Sequence, residues 1–299
     1  MESILPALSA VDSVLWGPPL IILLVGTGIF LTIRLKLLQV LRLPLALRLI
    51  FKAKNQGKGD VSSFKALCVA LAATVGTGNI VGVATAVKVG GPGAIFWMWI
   101  AAFFGMATKY AEGLLAVKYR SVDANGEIAG GPMFYIRNGL GEKWKPLAVF
   151  FAIACILVAF LGIGTFPQVN AIVDSMAITF AFPRVATDVI LTVFIAAVTI
   201  GGLQSISKVA SKLIPFMALF YIAISLGLIV LFIDRLPSAI ALILDGAFTG
   251  TAAAGGFAGS TIMIAMQNGI ARGVFSNESG LGSAPIAAAA AKTKEPAEQ

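Results

Sequence analysis

ALCVALAATVGTGNIVGVATAV, Ala66 to Val87, is long and apolar enough to cross a bilayer, yet Gly76-Thr77-Gly78-Asn79 sit at its middle. A glycine in a helix interior costs about 1 kcal/mol relative to alanine. The amide of Asn79 finds no partner in hydrocarbon. The stretch therefore predicts a spanning helix broken at 74–79. Its freed N–H and C=O groups are tolerated only where they are buried in protein or line a cavity, and there they can hold an ion or a zwitterion. Arg272 to Gly282, RGVFSNESGLG, repeats the pattern and predicts a second interruption at 272–280. Two glycine-interrupted apolar segments in one chain are the sequence mark of a transporter-type binding site.

Composition sets the class. Of 299 residues, 58% are hydrophobic and 12% charged, with a mean hydropathy of +0.93. A soluble domain carries about 25% charged residues, so the chain reads as an all-α polytopic membrane protein. The net charge of +8 raises nucleic acid as a partner, but the basic residues fall in short loops between apolar spans, which is a pattern of membrane orientation. No removable signal peptide is read at the start. With no histidine, and no nucleophile or metal pattern, an enzyme is disfavoured. Cys68 and Cys155 lie inside expected spans and read as buried free thiols.

Seven spans are expected at about 20 residues each. Residues 1–33 hold an extra N-terminal helix, its apolar part Leu15–Ile33, and residues 34–61 form a basic amphipathic linker of the kind that lies in the interface. Residues 62–235 carry the broken span, a third span at Ala94–Tyr119, a long fourth at Pro146–Phe180 and a fifth and sixth at Val185–Gly202 and Leu213–Ile233. Residues 120–144, with Gly130-Gly131-Pro132, are expected as a loop with a short re-entrant or interfacial piece, and Gln204 to Lys212 as a loop. Residues 236–260 read as an extracellular loop with short helical pieces, and residues 261–299 as the second broken span with a polar tail.

Seventeen Lys and Arg residues fall in one alternate set of loops and three, Lys88, Arg184 and Arg235, in the other. The bias places the N-terminus outside and residue 299 in the cytoplasm. The two broken helices then run in opposite directions. Half-helix N-termini favour a carboxylate, and exposed carbonyls favour an ammonium or Na⁺.

The stretches ALAATVGTGNIVGVATAV, GPGAIFWMW, GMATKYAEGLLAVKYR and GIARGVFSNESGLGSAPIAAAAA closely resemble the alanine/glycine:cation symporter family, the sodium:alanine symporters. The resemblance runs from about Leu15 to the end. It implies a LeuT-like inverted-repeat fold: one extra N-terminal helix, a first repeat of five helices, and the first helix of a second repeat. It also implies Na⁺-coupled symport of alanine or glycine across the cell membrane. Members of that family continue through four more helices, so the resemblance implies that this chain is a fragment or a truncated product. By the same resemblance, the N–H groups of Thr77 and Gly78 receive the substrate carboxylate, and Gln168 hydrogen-bonds the substrate. Gly273, Phe275 and Ser276 supply carbonyls to the ammonium, with Phe275 also an apolar wall. Thr74, Val75 and the Asn79 side chain resemble Na⁺ ligands.

Plainer readings stand beside these. Gly78 and Gly82 form a small-xxx-small pair suited to helix packing. Gln168, next to Pro167, can simply satisfy freed backbone. Lys109 and Glu112 share a helical face, and Glu112 reads as a brace accepting bonds from a broken helix. Arg272 and Glu278 flank the second break as braces or gate residues. A passive ion channel lined by the two breaks is the alternative outside the transporter class.

Overall fold

Helix α1 (Pro18–Arg34) opens with two prolines, which cannot donate but sit where the first N–H groups have no helical acceptor. It stops where Lys36 and Leu37 turn left-handed. The computed structural model describes residues 6, 11, 14–52, 57–162, 164–249 and 262–299, with the backbone alone at 51 and 52. Two short helices follow, α2 (Leu38–Leu41) and α3 (Leu43–Lys52), which carry the basic amphipathic stretch. The end of that linker, residues 53–56, lies outside the described residues.

β1 (Val61–Ser62) leads into α4 (Ser63–Thr74), and the Ser62 hydroxyl caps it by accepting from the Lys65 N–H at 3.3 Å. The chain then leaves the helix, makes a single 3₁₀ turn at Thr77–Asn79, and re-enters helix as α5 (Val81–Gly90). Next come α6 (Gly93–Lys118), a two-residue hairpin pairing β2 (Ser121–Val122) with β3 (Ile128–Ala129), and α7 (Pro132–Leu140). They are followed by α8 (Lys145–Phe160), α9 (Phe166–Phe180), α10 (Arg184–Thr199), α11 (Gly202–Leu231) and α12 (Leu236–Phe248). The chain closes with α13 (Ile262–Asn277), α14 (Ala284–Ala289) and β4 (Ala291–Lys292).

Among the described residues, three segments are long and apolar enough to cross a membrane: Gly93–Lys118, Glu142–Phe160 and Gly202–Leu231. The interrupted pair Ser63–Thr74 and Thr77–Gly90 passes the same test as one span. The large side chains of α8 to α11 are mostly exposed, Phe160 at 85%. Water would not tolerate that apolar area; hydrocarbon does. The protein is an all-α, multi-pass membrane protein.

Three expectations need correction. The expected fourth span is two helices, α8 and α9, parted at residues 161–165. Gly162 takes φ +63°, and Pro167 sits in the first turn of α9, a proline placed to start a helix rather than to bend one. Gln204 to Lys212 form no loop: α11 starts at Gly202 and runs through them. The second interruption occupies residues 278–283 rather than 272–280, because α13 continues through Arg272 and Gly273 to Asn277. The expected loop at 236–260 contains α12, and its remainder from residue 250, with Thr261, lies outside the described residues.

The chain divides into two compact units. The first holds Met1–Leu45, Gly78–Ala111 and Phe220–Leu281; the second holds Ala46–Thr77, Glu112–Leu219 and Gly282–Gln299. The chain passes from one unit to the other within each interrupted helix, at Thr77/Gly78 and at Leu281/Gly282. In the first unit, α1, α6 and α13 share a core of Ile21, Ala101, Ile270 and Val274. In the second, Cys68 packs with Ala210 and Ile214, and Val61 and Ala66 with Ala290 and Ala291.

Candidate functional site

The first interruption begins where α4 runs out. Val75 is extended (φ −94°, ψ 103°), and its N–H still reaches the Leu71 carbonyl at 2.8 Å. The carbonyls of the last turn of α4 are those that helix geometry leaves without an intrahelical partner. The Thr74 hydroxyl is committed backwards to the Ala70 carbonyl at 2.5 Å, so Thr74 offers the break its main chain.

Gly76 lies under an amide. A Cβ there would stand 3.0 Å from Gln168 Oε1 and 3.3 Å from its Nε2. The half-buried Gln168, in the first turn of α9, therefore faces the first interruption within the second unit. Its Nε2 also makes a 3.3 Å contact to the Gly164 carbonyl. Thr74, Val75, Thr77 and Gln168 thus belong to one unit, and the remaining expected ligands to the other.

In the first unit, Asn79 Nδ2 donates to Ser276 Oγ at 2.7 Å across 197 residues of chain. Gly78 stands against the Phe275 ring, which a Cβ would meet at 3.4 Å. At the other end of α5, a Cβ on Gly90 would meet the Asn268 Cβ at 3.1 Å and the Ala265 Cα at 3.3 Å. Positions 78 and 90 on one element therefore match 275–276 and 265–268 on the other, so α5 and α13 run antiparallel. Ser276 enters this geometry through its hydroxyl, where the sequence had suggested only its carbonyl.

Gly273 is placed differently from the expectation. It lies inside α13 and packs on α6, where a Cβ would meet the Ala101 Cβ at 3.1 Å. Its glycine serves helix contact, and its carbonyl is not at the interruption. Arg272 is likewise helical, and Glu278 is the first residue past the helix, left-handed at φ +54° with its N–H on the Val274 carbonyl at 2.7 Å. Gly280 and Gly282, both at positive φ, carry the chain on to α14. Glu112 is 7% exposed on α6. Its charge, after burial, is the second influence pushing the Tyr135 hydroxyl of α7 well above the usual phenol range. Asp174 pairs with Arg184 at 3.0 Å on the surface, both largely exposed, a contact of little energetic weight.

Sequence reading missed Arg120. Its guanidinium donates to the carbonyls of Ala289 (2.6 Å), Ala291 (2.8 Å), Lys58 (2.6 Å) and Thr293 (3.4 Å). Burial lowers its pKa, partly offset by the Asp60 carboxylate. Asp60 in turn accepts from the Ile128 N–H at 2.9 Å and gives its own N–H to Ala290 O at 2.9 Å. β1 pairs with β4 in parallel at Val61↔Ala291 and Ser62↔Lys292. Only the closely spaced glycines of GKGD hinted at this: Gly59, at φ +159°, leaves no room for a Cβ against Ala291. No group of three or more His, Cys, Asp or Glu side chains that could hold a metal occurs among the described residues; backbone, amide and hydroxyl oxygens lie near the interruptions, with the Glu278 carboxylate at the second, and oxygen is the ligand type of hard cations.

Comparison with known proteins fits this arrangement. An uncharacterised transporter of Haemophilus influenzae is 60% identical over 299 residues, covering 100% of this chain and 64% of that protein. The sodium/alanine symporter AgcS of Methanococcus maripaludis is 51% identical over 296 residues, covering 97% and 64%. The probable sodium/glutamine symporter GlnT of Bacillus subtilis is 39% identical over 289 residues, covering 96% and 59%. The chain thus spans 64% or less of the length of these relatives. A sequence model of the sodium:alanine symporter family matches residues 1–299, and the chain belongs to that family.

Proposed function

We propose that the protein carries a small neutral amino acid, alanine or glycine, across the cell membrane together with Na⁺ by alternating access. The fold is a LeuT-like inverted repeat whose first five-helix repeat is residues 62–235, with residues 261–299 opening the second. The N-terminus lies outside and residue 299 in the cytoplasm. The observation that carries this reading is the antiparallel pairing of α5 with α13, fastened at the interruptions by Asn79 and Ser276. The 51% identity to a named sodium/alanine symporter supports the substrate class and the ion.

The roles follow from what each group offers. The N–H groups of Thr77 and Gly78 take the substrate carboxylate. Gln168, already lying on Gly76, takes a substrate hydrogen bond. Phe275 of α13 bounds the side chain, and the carbonyls of Phe275 and Ser276, at the end of the helix ladder, take the ammonium. Thr74 and Val75 give Na⁺ their carbonyls. Because Ser276 holds the Nδ2 of Asn79, the Oδ1 of that amide is oriented for the cation. Na⁺ orders the first interruption, so a substrate arriving second meets a site whose ordering cost is already partly met. Glu112 remains a brace, with Arg272 and Glu278 at the second interruption.

Reconstituted into liposomes, the protein should exchange labelled for unlabelled alanine only when Na⁺ is present; saturation-free current without counterflow would mean a channel. Gln168→Ala should weaken alanine binding while membrane insertion stays intact, and equal affinity in a Na⁺-titrated binding assay would remove Gln168 from the site. Gly78 discriminates further. A methyl group there meets Phe275 at an ordinary 3.4 Å, so Gly78→Ala should retain binding, whereas Gly78→Leu must displace the ring and should abolish it.

A further inference from the structure

The end of α13 carries a polar group that the proposed site does not use. Asn277 Oδ1 accepts from the Ser279 N–H at 2.8 Å, and this fixes which way round the amide stands. Its Nδ2 is fully buried and has no hydrogen-bond acceptor among the described residues. A buried amide donor has strong reason to be paired. The same atom lies 3.3 Å from the point where a Cβ on Gly105 would stand, and Ser279 Oγ lies 2.6 Å from that point. Ser279 Oγ donates to the Gly105 carbonyl at 3.1 Å, tying α13's last turn to the middle of α6.

Two members of this cluster, Gly105 and Ser279, line a cavity of about 10 Å³ together with Leu24, Val25, Phe104 and Thr108. That volume is about one water probe sphere. Ser279 and Thr108, 5% and 8% exposed, are the lining residues that carry hydroxyls. All these residues belong to the first unit.

We propose that one water molecule is bound here, accepting from Asn277 Nδ2 and donating to the hydroxyl oxygens of Ser279 and Thr108, and that residue 105 is glycine to leave room for it. Three hydrogen bonds are the usual complement of a buried water. The chemistry selects water over a cation. The amide presents its NH₂ to this point, and turning it over would set that NH₂ against the Ser279 N–H. Asn277 follows directly on Ser276, the partner of Asn79, so the water holds the end of α13 that the Asn79 amide docks on.

The test is water-edited solid-state NMR on the full chain in lipid bilayers, with asparagine labelled in nitrogen-15 and the Asn277 side-chain signal assigned by its absence in Asn277→Leu. The expected result is early transfer of water magnetisation to Asn277 Nδ2, and loss of that transfer in Gly105→Ala, whose methyl group would press on Ser279 Oγ. Thr108→Val keeps the shape and removes one acceptor; it should slow the build-up at least twofold, and it carries the test should Gly105→Ala fail to fold. No transfer in the unmodified protein overturns the proposal, as does transfer unchanged in both variants. A signal that shifts on Na⁺ titration while water transfer vanishes also overturns it, because an ion then holds the position.

Discussion

The two interrupted helices are held together twice, and by different means. In the first unit α5 meets α13 through small residues: Gly90 against Asn268 and Ala265, Gly78 against Phe275, with a side-chain bond from Asn79 to Ser276. In the second unit α4 and α14 are stitched by main chain, through the β1–β4 pair, the four carbonyls on Arg120, and the Asp60 N–H on Ala290. The contrast follows from solvent. Between helices in lipid there is no hydrophobic drive toward association, so close approach of small residues has to supply it. Where the expected topology places charged loops, arginine and aspartate can be used, because their unused hydrogen-bonding capacity meets water. One pair of helices thus yields a packed joint and a hydrogen-bonded joint.

The packing of the first unit should break hardest, where α13 lies on α6 as well as on α5. Gly269 lies on α6 so closely that a Cβ would overlap the Ala94 carbonyl oxygen and stand 2.7 Å from the Trp97 Cβ. Gly269→Leu is expected to destabilise by about 3 kcal/mol or more, the upper range for overpacking. Hydrogen exchange read by mass spectrometry should rise in α5, α6 and α13 while α14 and β4 stay protected. Equal loss of protection at residues 284–293 would mean that the two joints are one cooperative structure.

Removing the Arg120 guanidinium attacks the other joint. Arg120→Ala strands the carbonyls it binds; water reaches part of that region, so the expected cost is about 1–3 kcal/mol in all. Arg120→Lys offers an ammonium without the planar fork and should recover only part of it. The amides of Asp60, Val61 and Thr293 should exchange faster in both variants, with α5 and α13 unchanged. Loss of protection in α13 as well would erase the distinction between the joints.

The first interruption was legible because glycine and asparagine in an apolar run violate what a spanning helix permits, and nothing in tertiary structure could repair that. The second was legible in existence and misplaced in position. Gly273 looks the same in sequence whether it breaks a helix or lets another helix approach, and here Ala101 lies against it. The stop is instead set by Glu278, Gly280 and Gly282 at positive φ. Gln168 facing Gly76 came from the family resemblance, since its own residue type also fits the repair of a proline-freed backbone. Arg120 was hidden because an arginine after a span reads equally well as an orientation signal. Its partners at Lys58 and Ala289 to Thr293 lie up to 173 residues away, and carbonyls leave no mark on sequence.

The smallest effect separates packing from polar bonding within the first unit itself. Ser276→Ala removes the acceptor of Asn79 Nδ2, and a single neutral hydrogen bond contributes about 1 kcal/mol. If glycine packing dominates, this variant should lose about that much in thermal or denaturant stability, far less than Gly269→Leu, and α5 should keep its exchange protection. On the proposed role of Asn79 as a Na⁺ ligand, alanine affinity should respond more than stability does, because the Asn79 amide loses the Ser276 bond that orients it; Ser276→Thr, which retains the hydroxyl, should restore it. A stability loss as large as that of Gly269→Leu would invert the contrast, making the Asn79–Ser276 bond the fastening of α5 to α13 and the small residues merely permissive.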